Sequence, residues 1–305
     1  MTTNPSGGFE LDLPEGEYEV YISPPEELGL GSVTIDRVSI TQKSPRIDYR
    51  YTGIRVQGTV LAPSGAFVDS GHVSVYVPDE FYVFQTLKNG AFSVLVARSG
   101  TYRITAYSLD PSMPSSASQT LALTVDTTLA IQIEGDLVSG TLFGPDGAGL
   151  EGATIRAEGF YSYAEAKAGG TYQFWVRPGG YRFRIAPPDD MRFILPRITS
   201  FRTISGPTNV DASLAGTRWS GLVRWATDSS VVTSARISAA VVADYYNRSA
   251  VDTTSNDGAF ELILEPGKEY DLSIYSTAQA KPLVIGGLIA GADSTFNIYV
   301  PSPAP

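Results

Sequence analysis

Self-similarity at a fixed spacing constrains this chain more than any other feature, because a repeat means that one folding unit is used several times. Three stretches open alike: Val56-Gln57-Gly58-Thr59-Val60, Val138-Ser139-Gly140-Thr141-Leu142 and Trp219-Ser220-Gly221-Leu222-Val223. Their central glycines stand 82 and 81 residues apart. A second shared pattern lies downstream of each: Asn89-Gly90-Ala91-Phe92, Gly169-Gly170-Thr171-Tyr172 and Asp257-Gly258-Ala259-Phe260. A strictly alternating run follows every one of these turns, with Phe92, Val94 and Val96, then Tyr172, Phe174 and Val176, then Phe260, Leu262 and Leu264 on one side. Next come a glycine and a tyrosine (Gly100 and Tyr102, Gly179 and Tyr181, Gly267 and Tyr270) and a second alternating run. Period-two alternation sets one strand face against a core and the other against water. Asn-Gly, Gly-Gly and Asp-Gly before such runs read as hairpin turns.

No stretch has helical periodicity, and the period is too long for a solenoid unit. It suits a seven-stranded sandwich that folds by itself. The fold expected is therefore all-β, a tandem series of seven-stranded Ig-like β-sandwiches. The spacing divides the chain into 54–135, 136–216 and 217–305, after a partial module at 1–53. In that first part Thr2 to Phe9 resembles Thr253 to Phe260, and Phe9, Leu11, Leu13, Gly16, Tyr18, Val20 and Ile22 complete the match. Residues 1–53 thus read as the last four strands or so of a module whose first strands are missing. One explanation is that the chain is a piece of a longer protein. The other is that a neighbouring chain supplies the missing strands, since an open sandwich exposes strand edges and apolar surface.

The run from Val138 to Ile155, with its Pro145-Asp146-Gly147 turn and Leu150-Glu151-Gly152-Ala153 approach, carries a family resemblance together with Gly170-Thr171-Tyr172 and Gly179-Gly180-Tyr181. It resembles the carboxypeptidase regulatory-like domain, which implies a transthyretin-like (prealbumin-like) seven-stranded sandwich close to the B-type repeats of bacterial surface adhesins. The resemblance covers 54–305 in three copies and implies no catalytic residues. The third copy departs from it between Trp225 and Ser234, which puts its first hairpin in doubt. Each Gly-x-Tyr tyrosine resembles a tyrosine corner, ring buried and hydroxyl bonded to nearby backbone. Gly58, Gly140 and Gly221 are expected on the inward face, where the lack of a side chain leaves room for a large neighbour or permits a bulge.

The chemistry available is sparse. A net charge of −10 and no basic patch argue against nucleic acid and against an anionic membrane surface. Cysteine is absent, so disulfides, thiolate metal sites and a cysteine nucleophile are excluded. The single histidine, His72, falls on the outer side of the run Val73, Val75, Val77 and reads as a solvated strand residue. The acidic pairs Glu26-Glu27, Asp79-Glu80 and Asp189-Asp190 read as charged loops. Calcium at Asp146 or Asp257 lacks the ligand spacing that such a site needs. The five lysines occupy no core position from which a Lys–Asn isopeptide bond could form. No cofactor or metal is expected. Met1 to Gly8 has neither the basic nor the apolar region of a signal peptide. The longest apolar stretch, Pro282 to Ala292, is too short to cross a bilayer and reads as a buried strand pair joined at Gly286-Gly287.

Aromatic clusters are the better candidates for contact. Phe81-Tyr82-Phe84, Phe160-Tyr161-Tyr163 and Tyr245-Tyr246 each place adjacent rings on opposite strand faces. Tyr82, Tyr161, Tyr163, Tyr245 and Tyr246 are the candidates to face a glycan or another module, and Asn247 opens a glycosylation sequon. The expectation is a non-enzymatic structural component of an extracellular stalk, surface fibre or adhesin, whose partners are neighbouring copies or further modules of the same protein. The alternative is a carbohydrate-binding accessory array within a larger secreted protein. Nucleic acid and membrane insertion are not expected. The short joins at Gly135-Asp136 and Gly216-Thr217 leave few flexible residues.

Overall fold

The alternating runs become paired strands. The structure, a computed structural model, describes residues 2–25, 28–31, 33–41, 46–77, 81–96, 99–278 and 281–302, and for Thr34, Val77, Phe81 and Tyr82 the backbone alone. Glu26-Glu27, Asp79-Glu80 and the Tyr82 side chain therefore lie outside the described residues. The chain forms two compact units, 1–110 with 115–134, and 111–114 with 135–305.

The first unit begins with an antiparallel pair, β1 (Gly16–Ile22) and β2 (Val33–Ile40). Seven strands follow: β3 (Ile54–Leu61), β4 (Gly71–Val77), β5 (Phe81–Thr86), β6 (Ala91–Val96), β7 (Gly100–Ser108), β8 (Ser116–Leu123) and β9 (Thr127–Gln132). They make two sheets, β6-β3-β9 and β5-β4-β7-β8, in which β3 and β9 run parallel and all other pairs antiparallel. The inward side chains are those of the alternating runs: Val56, Val60, Phe92, Val94 and Ile131 from one sheet, Val73, Val75, Tyr102, Ile104 and Ala106 from the other, all buried.

The second unit uses the same scheme twice. The first sandwich in it comprises β10 (Asp136–Phe143), β11 (Thr154–Ala157), β12 (Tyr163–Glu165), β13 (Thr171–Val176), β14 (Gly179–Tyr181), β15 (Phe183–Ala186), β16 (Arg197–Ile198), β17 (Arg202–Ile204), β18 (Thr208–Asn209) and β19 (Ala212–Ser213). Its larger sheets are β13-β10-β18, with β19 also on β10, and β12-β11-β15-β16. The last sandwich comprises β20 (Thr217–Trp225), β21 (Arg236–Val241), β22 (Ser249–Thr253), β23 (Ala259–Leu264), β24 (Glu269–Tyr275), β25 (Leu283–Ile289), β26 (Ser294–Thr295) and β27 (Ile298–Val300). Its sheets are β23-β20-β26, with β27 also on β20, and β22-β21-β24-β25. The fold is thus all-β and built of Ig-like, transthyretin-like sandwiches, in each of which the final strand lies parallel to the first.

That parallel closure explains the repeated glycines more directly than a large neighbour does. A Cβ at Gly58 would stand 1.8 Å from the Leu129 carbonyl oxygen, one at Gly221 1.7 Å from that of Phe296, and one at Gly140 2.5 Å from that of Val210. Backbone, not side chain, fills the space. The tyrosine corners form as well: the hydroxyls of Tyr18, Tyr181 and Tyr270 donate to the carbonyls of Pro14, Arg177 and Glu265 at 2.9, 2.7 and 3.1 Å.

Three local expectations change. Pro282 to Ala292 is not a buried strand pair but one edge strand, β25, in which Val284 and Ile289 are exposed. Gly286-Gly287 form a bulge opposite Asp271, and Gly287 takes φ +73°, which suits a residue without Cβ. The doubtful hairpin of the third repeat does form. Its turn is held by Asp228, which accepts from both the N–H and the hydroxyl of Ser230, and Val232 N–H returns to the Val223 carbonyl. Among the described residues of 1–53 two strands form rather than four. Phe9, Leu11 and Leu13 have no ladder partner among the described residues and are 41, 50 and 39% exposed.

Truncating Phe92 or Phe260 to alanine empties a core centre and should cost about 3–5 kcal/mol, a large share of a domain's roughly 5–15 kcal/mol. A thermal melt of either variant with an unchanged midpoint would count against the core assignment. Gly221→Ala forces β20 away from Phe296 and should cost about 1–3 kcal/mol or more, read from the same melts.

Candidate functional site: edge strands and the loops that cover them

The chemical candidates do not converge. His72 lies on the outer face, as its strand parity requires, but half-buried between Phe84 and Tyr107, with ring centroids 4.3 and 4.5 Å away. It is less solvated than a lone strand histidine because cross-strand rings flank it. Asp189 is engaged by Arg192 at 2.7 Å, and the carboxylates of Asp146 and Asp257 accept from the backbone of their own turns. Among the described residues no group of three or more His, Asp or Glu stands close enough to hold a metal ion, and no helix is long and apolar enough to cross a membrane. Of the candidate aromatics, Tyr161 and Tyr245 are 87% and 89% exposed and Tyr163 is 41% exposed. Tyr246 is half-buried, and its hydroxyl accepts from Arg182 at 3.2 Å. Asn247 is exposed.

What the structure does repeat is a joint. In the sheets built on β3, β10 and β20 one edge strand is β6, β13 or β23, so one row of its N–H groups faces away from the ladder. At the fifth residue of all three, a loop from the preceding repeat supplies the missing acceptor. Leu95 N–H donates to the Gly29 carbonyl at 2.8 Å, Trp175 N–H to Ser112 at 2.6 Å, and Ile263 N–H to Phe193 at 2.8 Å. The residue before the acceptor serves the adjoining sheet in two of the cases: Tyr163 N–H donates to Pro111, and Val251 N–H to Arg192. Each loop follows the strand that starts at the tyrosine corner, and Pro111–Pro114 accordingly belong to the second unit. An open edge templates unwanted pairing, and these loops occupy it.

Between the second and third sandwiches the joint is reinforced. Leu195 N–H donates back to the Ile263 carbonyl, and the two side chains exchange places. Ile263 packs in the core of the second sandwich and Leu195 in that of the third, both almost fully buried. Beside them lies an ionic cluster. Arg248, with only 8% of its side chain exposed, meets Asp244 at 2.9 Å and Glu265 at 2.7 Å, and Arg197 meets Glu265 at 3.3 Å. Arg197 also donates to the Ala215 carbonyl, at the join of the two sandwiches. Burial pushes the Glu265 carboxyl up, but the hydrogen bond from Arg248 and the charges of Arg197 and Arg248 outweigh it and hold the group below its ordinary range. Asp244 is held low in the same way, its burial overcome by the bonds from Arg248. Burial lowers Arg197. A cleft of about 400 Å³ alongside, lined by Asp189, Asp190, Arg192, Arg236 and Asp252, mixes both charges.

These joint residues do carry a signal in the sequence. Pro24-Pro25 with Leu28, Pro111 with Met113-Pro114, and Pro187-Pro188 with Met191, Phe193, Ile194 and Leu195 all fall at one position of the repeat. Prolines beside apolar residues in a nominal surface loop mark a segment that is extended and covered.

No family model matches the chain, and no curated protein sequence does. Solved structures are similar at low identity. The Bacillus anthracis TIE protein is 12% identical over 94% of this chain and 58% of that one, with a TM-score of 0.25, so this chain spans 58% of its length. Shaft pilin SpaA from Lactobacillus rhamnosus GG is 12% identical over 56% of this chain and 99% of that one, TM-score 0.27. A streptococcal ancillary pilin is 13% identical over 80% of this chain and 99% of that one, TM-score 0.25.

Two measurements probe the joint. Arg248→Ala leaves Asp244 and Glu265 without their shared cation and should destabilise the second unit by about 3–5 kcal/mol in denaturant melts. Acid acts on the same cluster. Because Glu265 and Asp244 titrate lower folded than unfolded, their contribution is complete at neutral pH. It declines as pH falls below the unfolded carboxylate range near about 4 and vanishes below the depressed folded values. Acid melts should therefore show Arg248→Ala and the parent converging at low pH, and a constant gap would contradict the assignment.

Proposed function

We propose that the chain is a non-enzymatic structural section of an extracellular stalk, surface fibre or adhesin, in which tandem sandwich modules at 54–135, 136–216 and 217–305, preceded by the partial module 1–53, act as spacers. The observation that carries this reading is the joint. One backbone hydrogen bond recurs at the fifth residue of three equivalent edge strands, and it uses no side-chain chemistry. A catalytic protein gathers reactive groups at one place, whereas the second unit concentrates its buried ionic and apolar contacts where its two sandwiches join. The neighbouring partners in this reading are further modules or copies of the same protein. An acidic surface keeps such exposed modules soluble and apart.

A second reading rests on the exposed rings. Tyr161 and Tyr245, with Phe160 and Phe201 at 51% and 63% exposure, offer flat apolar faces suited to sugar stacking. In that case the sandwiches are carbohydrate-binding accessory modules of a larger secreted protein.

Spin labels placed in the second and third sandwiches separate rigid spacer from flexible array. The structural reading expects one narrow distance distribution, broadened by Ile263→Ala, which opens a cavity at the joint and should cost about 2–4 kcal/mol. A broad distribution in the unaltered chain would remove the spacer reading. Retention on a polysaccharide panel that drops with Tyr161→Ala or Tyr245→Ala would favour the second.

A further inference from the structure

We propose that β25 is the surface through which two copies of this chain associate. Its free edge pairs antiparallel with the same strand of the second copy, about a two-fold axis between Gly286 and Gly287. The proposal takes its partner, a second copy, from the structural reading above and names the surface used. In the second unit the edges of β13, β23, β12 and β22 each give an N–H to a loop carbonyl, from Ser112, Phe193, Pro111 and Arg192 respectively. β25 ends its sheet with no such cover among the described residues.

The direction of its free backbone groups follows from its neighbours. Val242 N–H donates to the Glu269 carbonyl on the β21 side, so alternation turns the backbone groups of Tyr270, Leu272 and Ile274 towards β25. Their partners Leu288, Ile285 and Leu283 therefore use their own groups inside the sheet, and Val284 and Ile289 present theirs to the open edge. The side chains divide along the same residues. Leu283, Ile285 and Leu288 pack against the core, whereas Val284 and Ile289 are 59% and 68% exposed. The bulge at Gly286-Gly287 makes this possible, because two strand residues five apart would otherwise lie on opposite faces.

The strip fits its own copy better than a charged partner. Residues 283–289 carry no charge, in a chain whose net charge of −10 keeps copies apart elsewhere. The nearest acids, Glu269 and Asp271, stand one strand further in. An uncharged apolar strand at an open edge templates pairing. The two-fold arrangement sets Val284 of each copy opposite Ile289 of the other, so outward-facing backbone groups meet their like and all four exposed side chains gain an apolar neighbour. On the inner side a groove of about 340 Å³ opens beside β25, lined chiefly by Trp219, Ile285, Leu288, Phe296, Ile298 and Tyr299. The added strand brings Ile285 and Leu288 of the second copy across its mouth. β8, the counterpart of β25 in the first sandwich, lacks this character: its exposed residues are Ser118, Thr120 and Ala122.

The chain contains no cysteine, so introduced thiols report the pairing without interference. Sedimentation of the whole chain is expected to show a reversible monomer–dimer equilibrium. Ile289→Lys, which places a charge on the exposed side of the strand, is expected to weaken it at least about tenfold. Mild oxidation of Val284→Cys chains mixed with Ile289→Cys chains is expected to cross-link one to the other, with little product from either variant alone. A chain that stays monomeric, a dimer indifferent to Ile289→Lys, or cross-links formed as readily by one variant alone would each overturn the proposal. Where a thermal melt shows Ile289→Lys to be unfolded, the cysteine pair decides by itself. Spin-label distances within one labelled chain, diluted in unlabelled chain, separate this result from the structural reading. A monomer with a narrow distribution overturns the pairing alone, and a dimer with a broad one overturns the spacer alone.

Discussion

The backbone of an edge strand has hydrogen-bonding groups that nothing within its own sheet can satisfy, and the rest of this structure is arranged around that fact. A small sandwich must end its sheets somewhere. At β6, β13 and β23 this chain ends them under a loop borrowed from the preceding repeat, which satisfies an N–H that would otherwise face water or a stranger's strand. Within the second unit, covering the edge of β23 and connecting the two sandwiches are thereby one contact. The apolar exchange of Ile263 and Leu195 and the Arg248 cluster add to a geometry that the backbone has already set.

A second constraint acts inside each sandwich. The last strand returns to lie parallel with the first, and the approach is so close that the first strand carries a glycine at the crossing. This ties the identity of one residue to a pairing more than seventy positions away, as between Gly58 and Leu129. It also ties the presence of one strand to the order of two others.

The strands, the sandwich class and the core were legible in the sequence because strict alternation has one structural meaning. Phe92, Tyr172 and Phe260 announced their burial by parity alone. The Gly286-Gly287 bulge is not legible, because a continuous apolar run does not show which residues face out. The reason for the inward glycines was half legible, since a missing Cβ indicates a close approach without saying whose. The joint was hidden for a physical reason. A contact made by backbone N–H and carbonyl groups leaves no residue type behind, and Arg248, Asp244 and Glu265 look on paper like any other surface charges. Aromatics such as Tyr161 and Tyr246 look alike in sequence, yet one projects into water and the other is half-buried beneath arginines of the preceding repeat.

The parallel closure also has a mechanical meaning. The chain enters each sandwich at the start of its first strand and leaves at the end of its last, and because these two lie side by side and parallel, tension on the chain pulls them along each other. Their hydrogen bonds are then loaded together in shear rather than opened one after another. The first sandwich engages six consecutive residue pairs in this way, from Val56 with Thr127 to Leu61 with Gln132. In the later ones the run is interrupted at Val210-Asp211 and between Thr295 and Ile298. A chain of this design has a graded resistance to pulling written into its strand pairing, strongest where the terminal ladder is unbroken.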